Sequence, residues 1–148
     1  MDKLDIALDG SDQHTYTLKD FKGQKVVLYF YPKDSTSGCT IEAKEFSDLK
    51  TAFEKKNTIL LGVSRDSVKS HRRFIENAGL NILLLSDKDE LLSNAFDVIG
   101  EKKLYGKTFK GIIRSTFVLD ENGKLIKSYR NIKPKGHALQ VLNDLSVD

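Results

Sequence analysis

The run KVVLYFYP, residues 25–32, passes directly into KDSTSGCT, residues 33–40. Its first half has no polar break between Val26 and Tyr31 beyond the tyrosine hydroxyls, and it stops at Pro32. A continuous β-branched and aromatic run of that length predicts a central strand buried on both faces, closed by the proline. The pattern then changes period. Ala43, Phe46, Leu49 and Phe53 recur every three or four residues, the spacing of one apolar face of a helix. Strand, polar turn and helix form one unit, and Cys39, the only cysteine in 148 residues, lies where the helix begins.

Working outward, TILLGVS (58–64) predicts a second buried strand and VKSHRRFIENAG (68–79) a helix closed by Gly79. NILLLSD (81–87) is a third strand candidate, and DELLSNAFDVIG (89–100) predicts a short helix ending near Gly100. RSTFVLD (114–120) and KLIKSYR (124–130) flank ENG, the pattern of an antiparallel hairpin. GHALQVLNDL (136–145) carries leucines and a valine at helical spacing. The order indicates an α/β fold with a mixed central sheet of four or five strands flanked by helices, in one domain over 1–148. Such a sheet tends to set the last hairpin beside strand 25–31. Arg114, which opens that hairpin, would then lie near Cys39.

Composition narrows the function. Hydrophobic residues at 39% and charged residues at 30% suit an ordinary globular chain. The net charge of +3 is spread out, so no nucleic acid is expected as a partner. The densest basic run, GEKKLYGKTFK (100–110), predicts a solvated hairpin or loop rather than a polyanion site. One cysteine excludes an internal disulfide and a cysteine-built zinc site. His14, His71 and His137 show no ligand spacing, so neither metal nor cofactor is expected. MDKLDIALDG lacks the basic-then-apolar pattern of a leader, and no apolar run approaches the roughly 20 residues that span a bilayer. A reducing, cytoplasmic setting without membrane attachment is the expectation.

A lone cysteine is often a buried, inert thiol. Here a strand-to-helix turn rich in polar residues is a poor place to hide one, which favours a reactive reading. Helix-start N–H groups and the macrodipole favour negative charge, as does a nearby arginine, and the thiolate is the nucleophile. Gly38 lets backbone approach closely, and Thr36 supplies a hydroxyl that donates and accepts. A free cysteine is only about 3% ionised at pH 7, so ionisation alone is worth at most about thirtyfold in rate. Anything larger comes from orientation and preset donors.

YPKDSTSGCTIEA resembles the active-site loop of the peroxiredoxins, whose pattern is proline, three residues, threonine, two residues, cysteine. Pro32, Thr36 and Cys39 stand in that register. The likeness is strongest to the bacterioferritin-comigratory, or peroxiredoxin Q, branch. It extends through LKDFKGQKVVLYFYPKD, VSRDSVKSHRRF, LLSDKDELLSNAFDV, YGKTFKGIIRSTFVLDENGK and KPKGHALQVL, in order. The resemblance implies a thioredoxin-like fold and a peroxidase that reduces hydrogen peroxide and organic hydroperoxides through a Cys39 sulfenic acid. It implies that Thr36 positions the peroxide and contacts the thiolate. It also implies that Arg114 favours the thiolate and stabilises developing charge, that Pro32 shields the pocket, and that Glu42 supports the loop or the arginine.

The departures matter as much. Lys44 stands where many relatives carry a resolving cysteine, five residues after the first. Helical Cα atoms at that separation lie more than about 7 Å apart, so even a cysteine there would need local unwinding. A one-cysteine mechanism is expected, with the sulfenic acid reduced by an external thiol: thioredoxin, glutaredoxin or glutathione. Ser37 replaces a frequent proline, and the N-terminus lacks the Ala-Pro-Asp-Phe type of entry, which leaves the first hairpin's pairing open. A monomer is expected. The alternative is a peroxide-sensing protein that forms mixed disulfides with negligible turnover. Among other residues, His71 is expected on a helix surface or cap, Phe30 in the core, and Tyr31 in the core or the pocket wall. Tyr105 and Phe109 suit a packed hairpin or a pocket cover. Arg65, Arg73, Arg130 and Lys133 to Lys135 suit a solvated face.

Overall fold

The computed structural model describes residues 2–145. The chain opens with strands β1 (Leu8–Gly10) and β2 (Thr15–Tyr16), then β3 (Lys25–Phe30), α1 (Ser37–Asp48) and α2 (Lys50–Glu54). β4 (Thr58–Ser64), α3 (Val68–Ala78), β5 (Leu83–Ser86) and α4 (Leu91–Ala95) follow. Two hairpins come next, β6 (Ile99–Leu104) with β7 (Lys107–Ile112), and β8 (Ser115–Leu119) with β9 (Leu125–Arg130), and then α5 (His137–Asp144).

The main sheet runs β2-β1-β5-β4-β3-β8-β9. β3, β4 and β5 are parallel, while β1 and β8 join antiparallel on either side. It is the expected mixed sheet, with seven strands rather than four or five. The additional strands are short or peripheral: β1 and β2 pair through Leu8 with Tyr16 and Asp9 with Thr15, which settles the first hairpin.

Every residue of β3 is buried, as its unbroken apolar run requires. Alternation sends Val27 and Tyr29 to one face, against Phe46 of α1, Phe53 of α2, Phe74 of α3 and Val141 of α5. Val26, Leu28 and Phe30 face the other way, onto Leu92 of α4, Phe96 and Ile112. The Tyr29 ring stacks on Phe46 at 4.7 Å, and it crosses β4 at Gly62. A side chain at Gly62 would meet the Tyr29 ring at 2.8 Å and Leu84 at 2.7 Å. Glycine is therefore required in the middle of this buried strand.

Two boundaries differ from expectation. The helical spacing from Ala43 to Phe53 is divided at Leu49 into α1 and α2, with no effect on which face is buried. The helix expected over 89–100 stops at Ala95, because Asp97 takes a left-handed φ of 55° and Ile99 enters β6 opposite Ile112. Asp87 starts that helix by accepting from the Leu92 and Ser93 amides. Gly79 closes α3 at φ 66°, as read from the sequence. The basic run at 100–110 is the hairpin β6–β7, with Tyr105 at its exposed turn and Phe109 partly exposed. No helix among the described residues is long and apolar enough to cross a membrane.

Candidate active site

β3 and β8 are antiparallel and pair Phe30 with Ser115, so the C-terminal end of β3 lies beside the N-terminal end of β8. The loop from Tyr31 to Thr36 leaves one, and Arg114 enters the other. This register joins two segments 75 residues apart: Arg114 Nη2 lies 3.3 Å from Cys39 Sγ. The arginine backbone is fixed in turn, its carbonyl accepting from Ile132 N at 3.1 Å.

Thr36 is the N-cap of α1, and Cys39 is the third helical residue. The first intrahelical bond is Thr40 N to Thr36 O at 2.9 Å, so the amides of residues 37–39 have no intrahelical acceptor. Their partial positive charge gathers at the sulfur's end of the helix. One turn on, Glu42 shares the cysteine's face and accepts from Arg114 Nη1 at 2.7 Å. The arginine fork thus holds a carboxylate with one nitrogen and faces sulfur with the other.

The thiol itself is 1% exposed, among Tyr29, Tyr31, Ala43 and Phe46. This corrects the expectation that a polar turn would not hide it. Lys33, Ser35, Thr36 and Ser37 are exposed and Asp34 turns inward, while α1 rotates Cys39 onto the apolar face of the sheet. Gly38 is where close approach was expected: a side chain there would meet Arg114 Nη2 at 3.2 Å and Pro134 at 3.3 Å. Pro32 is half-buried at the loop's start. Thr36 is exposed, and its hydroxyl donates to Lys33 O at 2.9 Å.

Burial sets the electrostatics. It pushes the fully buried Glu42 carboxyl up to about 7, against the pull of Arg114. Burial also works against the Arg114 charge, but Glu42 and Cys39 outweigh it and hold the guanidinium above its ordinary range. Glu42 Oε2 and the Tyr29 hydroxyl have no hydrogen-bond partner among the described residues. His137 of α5 meets Thr116 Oγ1 at 2.7 Å, and burial, followed by the Arg114 charge, lowers it to about 4. Lys102 of β6 feels the same centre. Partial burial and then Arg114 hold its ammonium below the usual lysine range, while Cys39 acts the other way.

His71 overturns its expected surface place. It is fully buried, with Nδ1 2.7 Å from Asp34 Oδ2 and Nε2 2.9 Å from Leu85 O. Asp34, in the loop ahead of the cysteine, escaped the sequence reading because its partner is 37 residues away. Arg130, expected on a solvated face, is exposed yet donates to the carbonyls of Phe96 and Asp97. Arg65 pairs with Glu90 at 3.3 Å.

Residues 2–128 match the model of the AhpC/TSA family. A peroxiredoxin Bcp of Bacillus subtilis is 47% identical, over 96% of this chain and 92% of that protein. A peroxiredoxin Bcp of Xanthomonas campestris is 49% identical over 94% of this chain and 86% of that protein. The solved structure of the Xanthomonas campestris bacterioferritin comigratory protein, studied for its alkyl peroxide reduction activity, superposes with a TM-score of 0.91. It is 47% identical, over 95% of this chain and 90% of that one. Sequence and thioredoxin-type architecture agree. The chain belongs to the AhpC/TSA family, as a peroxiredoxin of the Bcp, or peroxiredoxin Q, kind and hence a thiol peroxidase.

Proposed function

We propose that Cys39 is the peroxidatic residue and that the chain works by a one-cysteine mechanism. The carrying observation is the Arg114 fork, 2.7 Å from buried Glu42 and 3.3 Å from Cys39 Sγ. The thiolate attacks the distal oxygen of a hydroperoxide. The O–O bond breaks, its electron pair leaves on the alkoxide, and a proton from solvent completes the alcohol or water. Sulfur retains the oxygen as sulfenic acid.

Arg114 faces the sulfur where charge shifts, so it can stabilise that shift without reorganising. The Thr36 hydroxyl spends its proton on Lys33 O, which leaves its lone pairs to accept from the peroxide O–H. Pro32 covers the loop side. Glu42 positions Arg114, and Gly38 leaves the room that the guanidinium occupies.

With no second cysteine in the chain, the sulfenic acid condenses with an external thiol, releasing water and forming a mixed disulfide. A second thiol then exchanges onto that disulfide and frees Cys39. Thioredoxin, glutaredoxin and glutathione all have the required chemistry, and a reducing cytoplasm would supply them to the monomer. Stopped-flow mixing of reduced protein with hydrogen peroxide tests the reading, with Cys39→Ser as control. Loss of thiol orders of magnitude faster than free cysteine is expected, with sustained turnover once an external thiol is added. A rate like that of free cysteine would overturn it.

A further inference from the structure

Cys39 is almost fully covered, and its mechanism as proposed above requires a thiol from another molecule. Swinging the first turn of α1 away would uncover the sulfur to that thiol. The segment carrying this turn is held very differently at its two ends.

At the near end, the buried Asp34 carboxylate accepts from the Tyr31 hydroxyl at 2.6 Å and from Ser70 Oγ at 2.8 Å, and its Oδ2 lies 2.7 Å from His71 Nδ1. The Asp34 amide donates to Asp66 Oδ2 at 2.8 Å, and Ser64 Oγ holds that same oxygen at 2.7 Å. His71 Nε2, anchored on Leu85 O, ties the cluster to β5. Both histidine nitrogens are thus engaged, one by a carboxylate and one by a backbone carbonyl, so the ring cannot turn without breaking both contacts. At the far end, residues 35–37 are exposed, and Thr36 and Thr40 make only local bonds. Between the two ends, Ser35 sits at φ 65°, a left-handed conformation that a residue with a side chain adopts at a cost.

We infer that the His71–Asp34 pair is a latch that fixes the loop ahead of α1, with Ser35 as the strained hinge, and so sets how often the Cys39 turn opens to an incoming thiol. The strain at Ser35 persists because Asp34 is immovable on one side and α1 is packed on the other. Releasing Asp34 lets Ser35 relax and carries the first turn outward. His71 is a positioning residue in this account, acting on the sulfur through the loop.

The single cysteine makes opening directly measurable. An aromatic disulfide reagent exchanges with Cys39: the thiolate attacks one sulfur, a mixed disulfide forms, and the coloured aromatic thiolate leaves. For a covered thiol in rapid opening equilibrium, the labelling rate scales with the open fraction. His71→Gln and Asp34→Asn should each label about tenfold faster than the parent protein, with folded circular dichroism spectra. Ser35→Gly removes the strain while keeping the latch, and should label about threefold more slowly. Phe117→Leu, a core change on the opposite sheet face, serves as the stability control.

Unchanged labelling in folded His71→Gln and Asp34→Asn overturns the latch. So does an equal increase in Phe117→Leu at matched loss of melting temperature. Should the latch variants fail to fold, Ser35→Gly decides alone: a rate equal to or above the parent's overturns the proposal. Peroxide plays no part in this assay, so failure of the peroxidase reading and failure of the latch are separately visible.

Discussion

Arg114 donates to Glu42 Oε1 across 2.7 Å while its other terminal nitrogen lies 3.3 Å from Cys39 Sγ. One guanidinium is thus oriented by a buried carboxylate and directed at the sulfur by the same rigid plane. Lysine has a single ammonium and cannot meet both partners at once. Arg114→Lys is expected to slow oxidation of Cys39 by hydrogen peroxide about 10²-fold, and Arg114→Met somewhat more, the size of losing one preset donor. Single-turnover thiol loss measures it; a change under threefold for Arg114→Met would remove the arginine from the chemistry.

The same arginine sits between two buried groups that titrate in opposite senses. Glu42 is raised from 4.5 to about 7, so between those values the native state holds a proton that the unfolded chain has released. Stability from this group falls as pH rises. His137 is lowered from 6.5 to about 4, so between those values the unfolded chain binds a proton that the native ring refuses. Stability from this group is lost as pH falls. Each full span is worth on the order of 3 kcal/mol, and the two oppose each other from pH 4.5 to 6.5. In urea unfolding across that window, Glu42→Gln should gain stability with pH relative to the parent protein, and His137→Gln should lose it. Parallel pH profiles for all three proteins would show that neither shift exists.

How much of this was readable depended on whether the cause lay nearby in the chain. β3 was legible because burial on both faces leaves an unbroken apolar run, and α3 because Gly79 supplies its left-handed end. The loop of Pro32, Thr36 and Cys39 was legible as a family pattern, and the hairpin order brought Arg114 toward it. The end of α4 was not, since Phe96 and Val98 continue an apolar pattern and only the Asp97 backbone breaks the helix. His71 was illegible for a different reason. A histidine beside two arginines on a helix looks solvated, and its burial depends on an aspartate that only the β3–β4 parallel pairing brings near.

Thr36 separates helix starting from peroxide handling. Its side chain makes no cap hydrogen bond to α1 and donates to Lys33 O at 2.9 Å. Losing that exposed bond should cost about 1 kcal/mol of stability or less, too little to displace the helix. Thr36→Ser keeps the hydroxyl and should stay within about threefold of the parent peroxide rate, whereas Thr36→Val should fall by tenfold or more, in line with a missing polar contact. Equal rates for Thr36→Val and Thr36→Ser at equal stability would assign the residue to loop shape alone.

Lys44 lies on the exposed side of α1, five residues beyond Cys39 and inside the same 12-residue helix. Lys44→Cys would offer the missing internal thiol without touching Arg114, Glu42 or the loop. Across five helical residues the Cα atoms are too far apart for a disulfide, so the bond forms only if the turn unwinds. One equivalent of hydrogen peroxide should convert Cys39 to sulfenic acid in both proteins. In Lys44→Cys the introduced thiol should then condense with it, releasing water and forming an intramolecular disulfide. Loss of the sulfenic acid should coincide with a fall in helical circular dichroism, while the oxidised parent keeps both until an external thiol is added. A persistent sulfenic acid in Lys44→Cys, with the helix signal intact, would mean that α1 does not open once Cys39 is oxidised. An external thiol would then have to reach the sulfur through the closed site.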